Sequence, residues 1–219
     1  MIVLGIDGAL GSFSAAVGAD GKIVASQSAE GNVALEAGIA MVASVMREAE
    51  LSAVNLDRIA VGTGPGGFTG LRIAIAYAKS LAQAWQLPLV PVSSFDLLEF
   101  GRPLERALTI VVGRPGVISA RFRDGGRVRR ESGRTADVLA TILPDDERPP
   151  AVVGASKDVL AELAERGIVV NSLRPLVTPA AAAAALSAVA REPAHSVHAV
   201  EPDYGELPAA KIPKTLSQQ

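Results

Sequence analysis

Two Asp-Gly turns, Asp20-Gly21 in the first half of the chain and Asp124-Gly125 in the second, each join extended runs whose apolar residues alternate. Helical spacing follows each of them. In the first half, Met1 to Asp7, Ser12 to Ala19 and Lys22 to Ala29 read as an antiparallel meander. Val33 to Glu50 then carries Leu35, Ile39, Val42, Met46 and Ala49 at helical spacing. Arg58 to Gly62 is a short strand that enters a Gly-rich loop, and the loop opens a second helix, Gly70 to Trp85. A strand, Leu87 to Val92, and a short helix capped by Ser93 or Ser94 close this half.

The second half repeats the order. Leu108 to Val112, Val117 to Arg123 and Arg127 to Glu131 read as strands, followed by a helix Ala136 to Leu143, a strand Ala151 to Gly154 and a helix Lys157 to Arg166. A strand Ile168 to Val170 comes next, then an Ala-rich helix, Pro179 to Ala190, with Thr178 as cap and Pro179 as first residue. Two tandem βββαβα units predict an α/β fold of two ribonuclease H-like lobes, the plan of the actin, sugar-kinase and heat-shock ATPase superfamily. The expected boundaries are a first lobe over 1–102, a second, smaller lobe over 103–192, and an extended tail over 193–219 that frays at its end.

Composition narrows the chemistry. At 219 residues, 49% hydrophobic and 20% charged, with a formal net charge of −2, the chain is too apolar for disorder and too balanced for a charged tail. The absence of Cys excludes disulfides, thiolate zinc sites, iron-sulfur clusters and cysteine nucleophiles; it suits a reducing compartment, so a cytoplasmic protein is expected. The only histidines, His195 and His198, lie near the C-terminus, which leaves the body of the chain without a His metal site or a Ser-His pair. No metal and no cofactor are expected. Uncharged runs are broken by Pro short of a bilayer's thickness, so no membrane segment is expected, and Met1 leads straight into a strand rather than a signal peptide.

Asp7 ends the first strand and is followed by Gly8-Ala9-Leu10-Gly11, where the superfamily places a metal-linked Asp and a phosphate-contacting hairpin. A carboxylate there can hold a hydrated cation, yet Gly8 and Ala9 leave the hairpin without hydroxyl donors. The sharpest local signal is Gly64-Pro65-Gly66-Gly67-Phe68-Thr69-Gly70-Leu71-Arg72, between a strand and a helix. Glycines permit close backbone approach, Thr69 is placed to cap, and amides at a helix N-terminus favour an anion. The spacing matches neither the Walker loop nor the dinucleotide fingerprint. Asp7, Gly64, Gly66, Thr69 and Arg72 therefore read as a vestigial nucleotide loop, and the other reading of the block is a tight turn that packs Phe68 beneath the helix.

Gly62-Thr63-Gly64-Pro65-Gly66-Gly67-Phe68-Thr69-Gly70-Leu71-Arg72-Ile73, with Ala78-Lys79-Ser80-Leu81-Ala82 and Pro91-Val92-Ser93-Ser94, resembles the bacterial TsaB (YeaZ) family. The resemblance extends to Leu4-Gly5-Ile6-Asp7, Val152-Val153-Gly154, and Glu201-Pro202 with Tyr204. The sequence departs from that family's usual residues at Gly67, Gly8 and Gly31-Asn32-Val33. What the resemblance implies is a non-catalytic paralogue of TsaD that forms a heterodimer with it. With the ATPase TsaE, the pair would install threonylcarbamoyl on the adenosine beside the anticodon of tRNA, TsaD performing the transfer. TsaD-like catalysis uses paired histidines on the first helix, and the corresponding segment here, Val33 to Glu50, has none. The rival reading is a nucleotide-binding enzyme of the same superfamily, with an ATP site at Asp7 and the Gly64 to Gly70 loop.

Both long helices of the first half are apolar nearly all round. One stripe suffices for a core, so the spare one is covered either by this chain's own second half or by a partner. The family resemblance implies a partner helix pair, from TsaD or a second copy. Leu35, Ile39, Met41, Val42, Val45, Met46, Ile73 and Tyr77 are the expected contact residues. Arg121, Arg123, Arg127 and Arg129 would share one face of a hairpin, opposite Phe122 and Val128, and could touch phosphates. Without aromatic interleaving, contact with tRNA is expected to be indirect or weak.

Overall fold

The computed structural model describes residues 1–30, 33–144, 149 and 151–205, and the side chains among them except those of 33–36. The first half runs β1 (Ile2–Asp7), β2 (Ser12–Ala19), β3 (Lys22–Glu30), α1 (Val33–Glu48), β4 (Arg58–Gly62), α2 (Phe68–Trp85), β5 (Leu89–Val92) and α3 (Ser94–Glu99). The second runs β6 (Arg106–Arg114), β7 (Val117–Asp124), β8 (Arg127–Arg134), α4 (Thr135–Ile142), β9 (Ala151–Val153), α5 (Lys157–Glu165), β10 (Asn171–Leu173) and α6 (Ala180–Ser187).

The strands form two five-stranded sheets, ordered β3-β2-β1-β4-β5 and β8-β7-β6-β9-β10. The orders superimpose strand for strand, so the duplicated ribonuclease H-like plan is present in full. In each sheet an antiparallel meander gives way to parallel pairing with the strand that follows the crossover helix. Asp20 and Gly21, at φ 51° and 76°, make the tight β2–β3 turn their dipeptide predicts. β10 begins after the expected Ile168–Val170, because Ile168 is still tied to the end of α5 through its amide to the Leu163 carbonyl at 2.9 Å.

The last helix of each half lies against the other half's sheet. Phe95 and Leu98 of α3 pack with Val111 and Val153 of the second sheet. Ala181 and Ala182 of α6 pack on Ala16, and Ala183, Ala184 and Ala185 on Val3, Ala60 and Val90 of the first. The expected boundary, which put the Ala-rich helix in the second lobe, is therefore corrected: α6 covers the first lobe's sheet. Alanine's single methyl lets the helix lie close to the sheet, and Gly5 of β1 completes the fit, since a Cβ there would overlap the Ala181 carbonyl. The helix starts one residue later than expected, with Pro179 rather than Thr178 at the cap. No described helix is long and apolar enough to cross a membrane.

Candidate functional site

β1 delivers Asp7 to the middle of the first lobe, where the residue is fully buried. Its Oδ2 accepts hydrogen bonds from the amides of Ala9 (3.1 Å) and Leu10 (3.3 Å), while Oδ1 is buried with no partner. Burial pushes the carboxyl up to about 6 from its ordinary 3.8, and the two amides offset only part of that. A Cβ on Gly62, at the end of β4, would overlap Oδ1, so the glycine is required by the carboxylate itself.

The turn after Asp7 is pressed backbone to backbone against the Gly-rich loop. A side chain on Gly8 would enter the Gly70 carbonyl, one on Gly70 would enter the Gly8 carbonyl, and one on Gly66 would enter the Ala9 carbonyl. The Gly67 amide at the start of α2 donates to that same Ala9 carbonyl at 2.8 Å, so a donor that could have met an anion is already used. The cap of α2 is Gly67, not Thr69, and it makes no side-chain hydrogen bond; Thr69 is exposed in the first turn. Arg72 sits over the Phe68 ring at 5.1 Å instead of reaching into the loop. Phe68, which the tight-turn reading packs beneath the helix, is 57% exposed and lies against Tyr204 with ring centroids 5.1 Å apart. These residues do not fit a nucleotide-bound metal: the sole carboxylate is sealed, its surroundings are backbone, and among the described residues no cluster of three His, Cys, Asp or Glu exists to hold an ion.

The segment beyond residue 192, expected to be an extended tail, is packed against the body as far as it is described. Ala194 donates to the Leu89 carbonyl at 2.9 Å, and Val200 is buried in the first core. The Asp203 amide donates to the Thr63 carbonyl at 2.7 Å, close over Gly64, whose φ of 94° and missing side chain make room for the Asp203 carbonyl. Gly205 then reaches the second sheet, tucked against Ser119 and Ser132, whose hydroxyls are hydrogen-bonded at 2.8 Å. Ala194, Val197, Val200 and Tyr204, apolar residues spaced through a Pro-rich stretch, were the signals for this docking. Residues 206–219 lie outside the described part.

On the α1–α2 face the expected contact residues divide. Met41, Val42, Val45 and Met46 are buried in the chain's own core, Val45 completely; this corrects the assignment of Met41 and Val45 to a partner surface, whereas Val42 and Met46 keep an edge on the α1–α2 surface. They are covered because α1 turns them toward the sheet. Tyr77 is half-buried, edge-on to Phe13 with centroids 6.0 Å apart and close above Gly38, and Ile73 packs beside the same core. Ile39 is 46% exposed. Leu35 falls among the side chains outside the described set. An apolar recess of about 410 Å³ opens beside Ile39, lined also by Val42, Met46, Leu51, Leu81 and Trp85. Leu81 and Trp85 were missed as surface residues because their spacing also suits the core stripe. Around them the exposed residues of both helices include the small Ala40, Ala43, Ala76, Ser80 and Ala84, with the longer Arg47 at the edge of the recess and Gln83 on α2.

The arginine hairpin is not one basic face. β7 and β8 pair Arg121 with Arg130, Phe122 with Arg129 and Arg123 with Val128, so Arg129 shares the face of Phe122 and lies over its ring at 4.9 Å. A two-residue turn at Gly125-Gly126 sets that parity. Arg121 is 3% exposed and joins the lobes: Nη1 meets Asp96 at 2.5 Å and Nη2 meets Glu99 at 2.8 Å, both carboxylates on α3. Arg123 meets Glu99 at 3.3 Å, Arg191 meets Asp96 at 3.0 Å, and Thr109 donates to Glu99. Burial works to raise the Asp96 carboxyl, but the hydrogen bonds and charges of Arg121 and Arg191 hold it below its ordinary value. Arg121 is spent inside the molecule and Arg123 leans on Glu99, while Arg127, Arg129 and Arg130 stay exposed, so the four arginines do not share the single face on which a phosphate contact was conceivable.

Residues 35–214 match the family model described as TsaD: tRNA N6-adenosine threonylcarbamoyltransferase. The TsaB protein of Escherichia coli, named for tRNA threonylcarbamoyladenosine biosynthesis, is 33% identical over 101 residues, 46% of this chain and 44% of its own. Its namesake from Bacillus subtilis is 36% identical over 55 residues, 25% of this chain and 24% of its own. The match thus spans less than half the length of these curated relatives. Among solved structures, YeaZ from Pseudomonas aeruginosa shares the fold with a TM-score of 0.68 at 22% identity, covering 93% of this chain and 99% of that one.

Proposed function

Because the chain belongs to the TsaD family of tRNA N6-adenosine threonylcarbamoyltransferase domains, and within it to the TsaB (YeaZ) type, we propose that it serves tRNA threonylcarbamoyladenosine biosynthesis as a non-catalytic partner of TsaD. TsaE completes the assembly in this reading, the compartment is the cytoplasm, and tRNA is met mainly through TsaD. The observation that carries the reading is the contrast between the two places where such a fold can act. The junction around Asp7 is closed by its own backbone, with no room for a phosphate against the carboxylate. The α1–α2 face, by contrast, is open: an apolar recess beside Ile39, edged by Arg47 and flanked by Ala40, Ala43, Ala76, Ser80 and Ala84, whose small side chains let partner helices approach closely.

The test is reconstitution. Threonylcarbamoylation of tRNA by purified TsaD and TsaE should depend on adding this chain, and the Ile39→Asp variant should fail to support it because it no longer co-elutes with TsaD. A variant chain, Asp7→Ala, that still folds should support the reaction undiminished. If Asp7→Ala stops the reaction while co-elution persists, the chain has a chemical role of its own and the scaffold reading fails. A second copy of this chain can occupy the same face when TsaD is absent, which sedimentation of the isolated protein measures.

A further inference from the structure

A second feature is independent of that reading. Behind the inter-lobe ion pairs lies an open recess of about 400 Å³, lined by Asp96, Glu99, Arg102, Arg123, Ser187 and Arg191. Its acceptors are already used. Both oxygens of Asp96 are held, by Arg121 and Arg191, and both oxygens of Glu99, by Arg121 with Thr109 and by Arg123. Its donors are not. Arg123 and Arg191 each commit a single terminal nitrogen, at 3.3 Å and 3.0 Å. Arg102 gives one to the Arg174 carbonyl at 2.8 Å, and its Nε is buried without a partner. The Ser187 hydroxyl is likewise buried and unpartnered, on a residue only 7% exposed.

The charge count runs the same way. Four guanidiniums, those of Arg102, Arg121, Arg123 and Arg191, meet two enclosed carboxylates, with Glu105 exposed at the rim. Buried donors left without acceptors are costly, so the occupant that suits this recess brings oxygen acceptors and negative charge. We propose that the recess binds a small oxyanion, the carboxylate or phosphate group of a metabolite-sized ligand. Arg102, Arg123, Arg191 and the Ser187 hydroxyl are its donors. The planar forks of arginine match the paired oxygens of either group, which a lysine would not. Since Arg123 belongs to the second sheet and Ser187 to the helix covering the first, an occupant ties the lobes together and raises the stability of the whole chain.

The experiment titrates the full chain, at ionic strength held constant with sodium chloride, with inorganic phosphate in one arm and malonate in the other, followed by amide NMR shifts. Saturable shifts are expected around residues 100–105, 123 and 187–191, and the tighter arm tells phosphoryl from carboxylate ligands. Arg123→Gln should weaken binding about tenfold or more, the usual scale for a hydrogen bond to a charged group, and Ser187→Ala about threefold. Ser187→Ala leaves every ion pair in place, so it decides the matter alone if Arg123→Gln does not fold. Shifts that never saturate, that scatter over the exposed arginines of the β7–β8 hairpin, or that are unchanged in Ser187→Ala overturn the proposal.

Discussion

Gly8 and Gly70 each occupy the space that the other's side chain would need: the carbonyl of either one lies where a Cβ on its partner would go. The hairpin and the start of α2 are therefore fixed to one another by two missing side chains, one in each element.

A hydroxyl placed directly after Asp7 should do harm here. Gly8→Ser forces the Gly70 carbonyl to move, at about 1–3 kcal/mol by the scale of overpacking. At this chain length each kcal/mol lowers the melting temperature by about 2–4 °C. Gly67→Ser is the control, because a Cβ there meets only the Ala9 carbonyl at 3.7 Å, an ordinary contact. Thermal melts compare the two; equal melting temperatures would show that the junction yields.

Asp7 makes stability fall as pH rises. Its carboxyl titrates near 6 when folded and near 3.8 when free, so the folded state binds its proton more tightly. The stabilising contribution is complete below about pH 4 and is lost as pH climbs through 6, by as much as about 3 kcal/mol if the full shift is realised. Asp96, with its carboxyl held low, works in the opposite sense, losing stability as pH falls. Urea midpoints from pH 4.5 to 7.5 isolate the first effect when wild type is compared with Asp7→Asn: the variant should lack the decline above pH 5, whatever its absolute stability. Parallel curves would mean that Asp7 is ionised throughout.

The two sides of α1 should respond differently to the same charge. Val45→Glu buries a carboxylate in the first core and should unfold it, at several kcal/mol. Ile39→Asp, at a half-exposed position, should change the melting temperature by no more than about 0.5 kcal/mol's worth and yet abolish binding to TsaD. Calorimetry with TsaD beside circular dichroism separates fold from contact, and wild-type affinity in Ile39→Asp would remove the interface from this face.

Arg121→Ala strands two carboxylates of α3 and should cost about 3–5 kcal/mol, the scale for breaking a buried ion pair from one side. Arg123→Ala, which removes one longer and partly exposed contact, should cost about 1 kcal/mol or less. Denaturant titration measures both, and similar losses would show that the network is not centred on Arg121.

Much of this architecture is legible in the residues. Alternating strands, Asp-Gly turns and the Gly-rich loop between β4 and α2 suffice to lay out two meanders and their helices. The partner of α6 is not legible, because a run of alanines carries no polar side and hence no direction; its place is set by Gly5 on a strand far away in sequence. The parity of the arginine hairpin could have been read, since a two-residue turn pairs Asp124 with Arg127 and so puts Arg129 beside Phe122. Which side of α1 faces the sheet could not, as Ile39 and Val42 are equally apolar and only burial tells them apart. The closed state of the Asp7 junction was visible only as missing hydroxyls, not as the contact between Gly8 and Gly70.

The exchange of α3 and α6 between the sheets has a consequence for how the chain is made. Translation delivers β1 to β5 long before Ala181 to Ala188, so Val3, Ala60 and Val90 wait uncovered while the second half is still being synthesised. At ordinary elongation rates that interval is about 5–20 s. During it the nascent first half is a sheet with one finished side, a natural client for holding chaperones, and a ribosome stalled near residue 170 would release a product that cannot complete either half. The two halves share one plan, but the first cannot mature until the last helix of the second has been made.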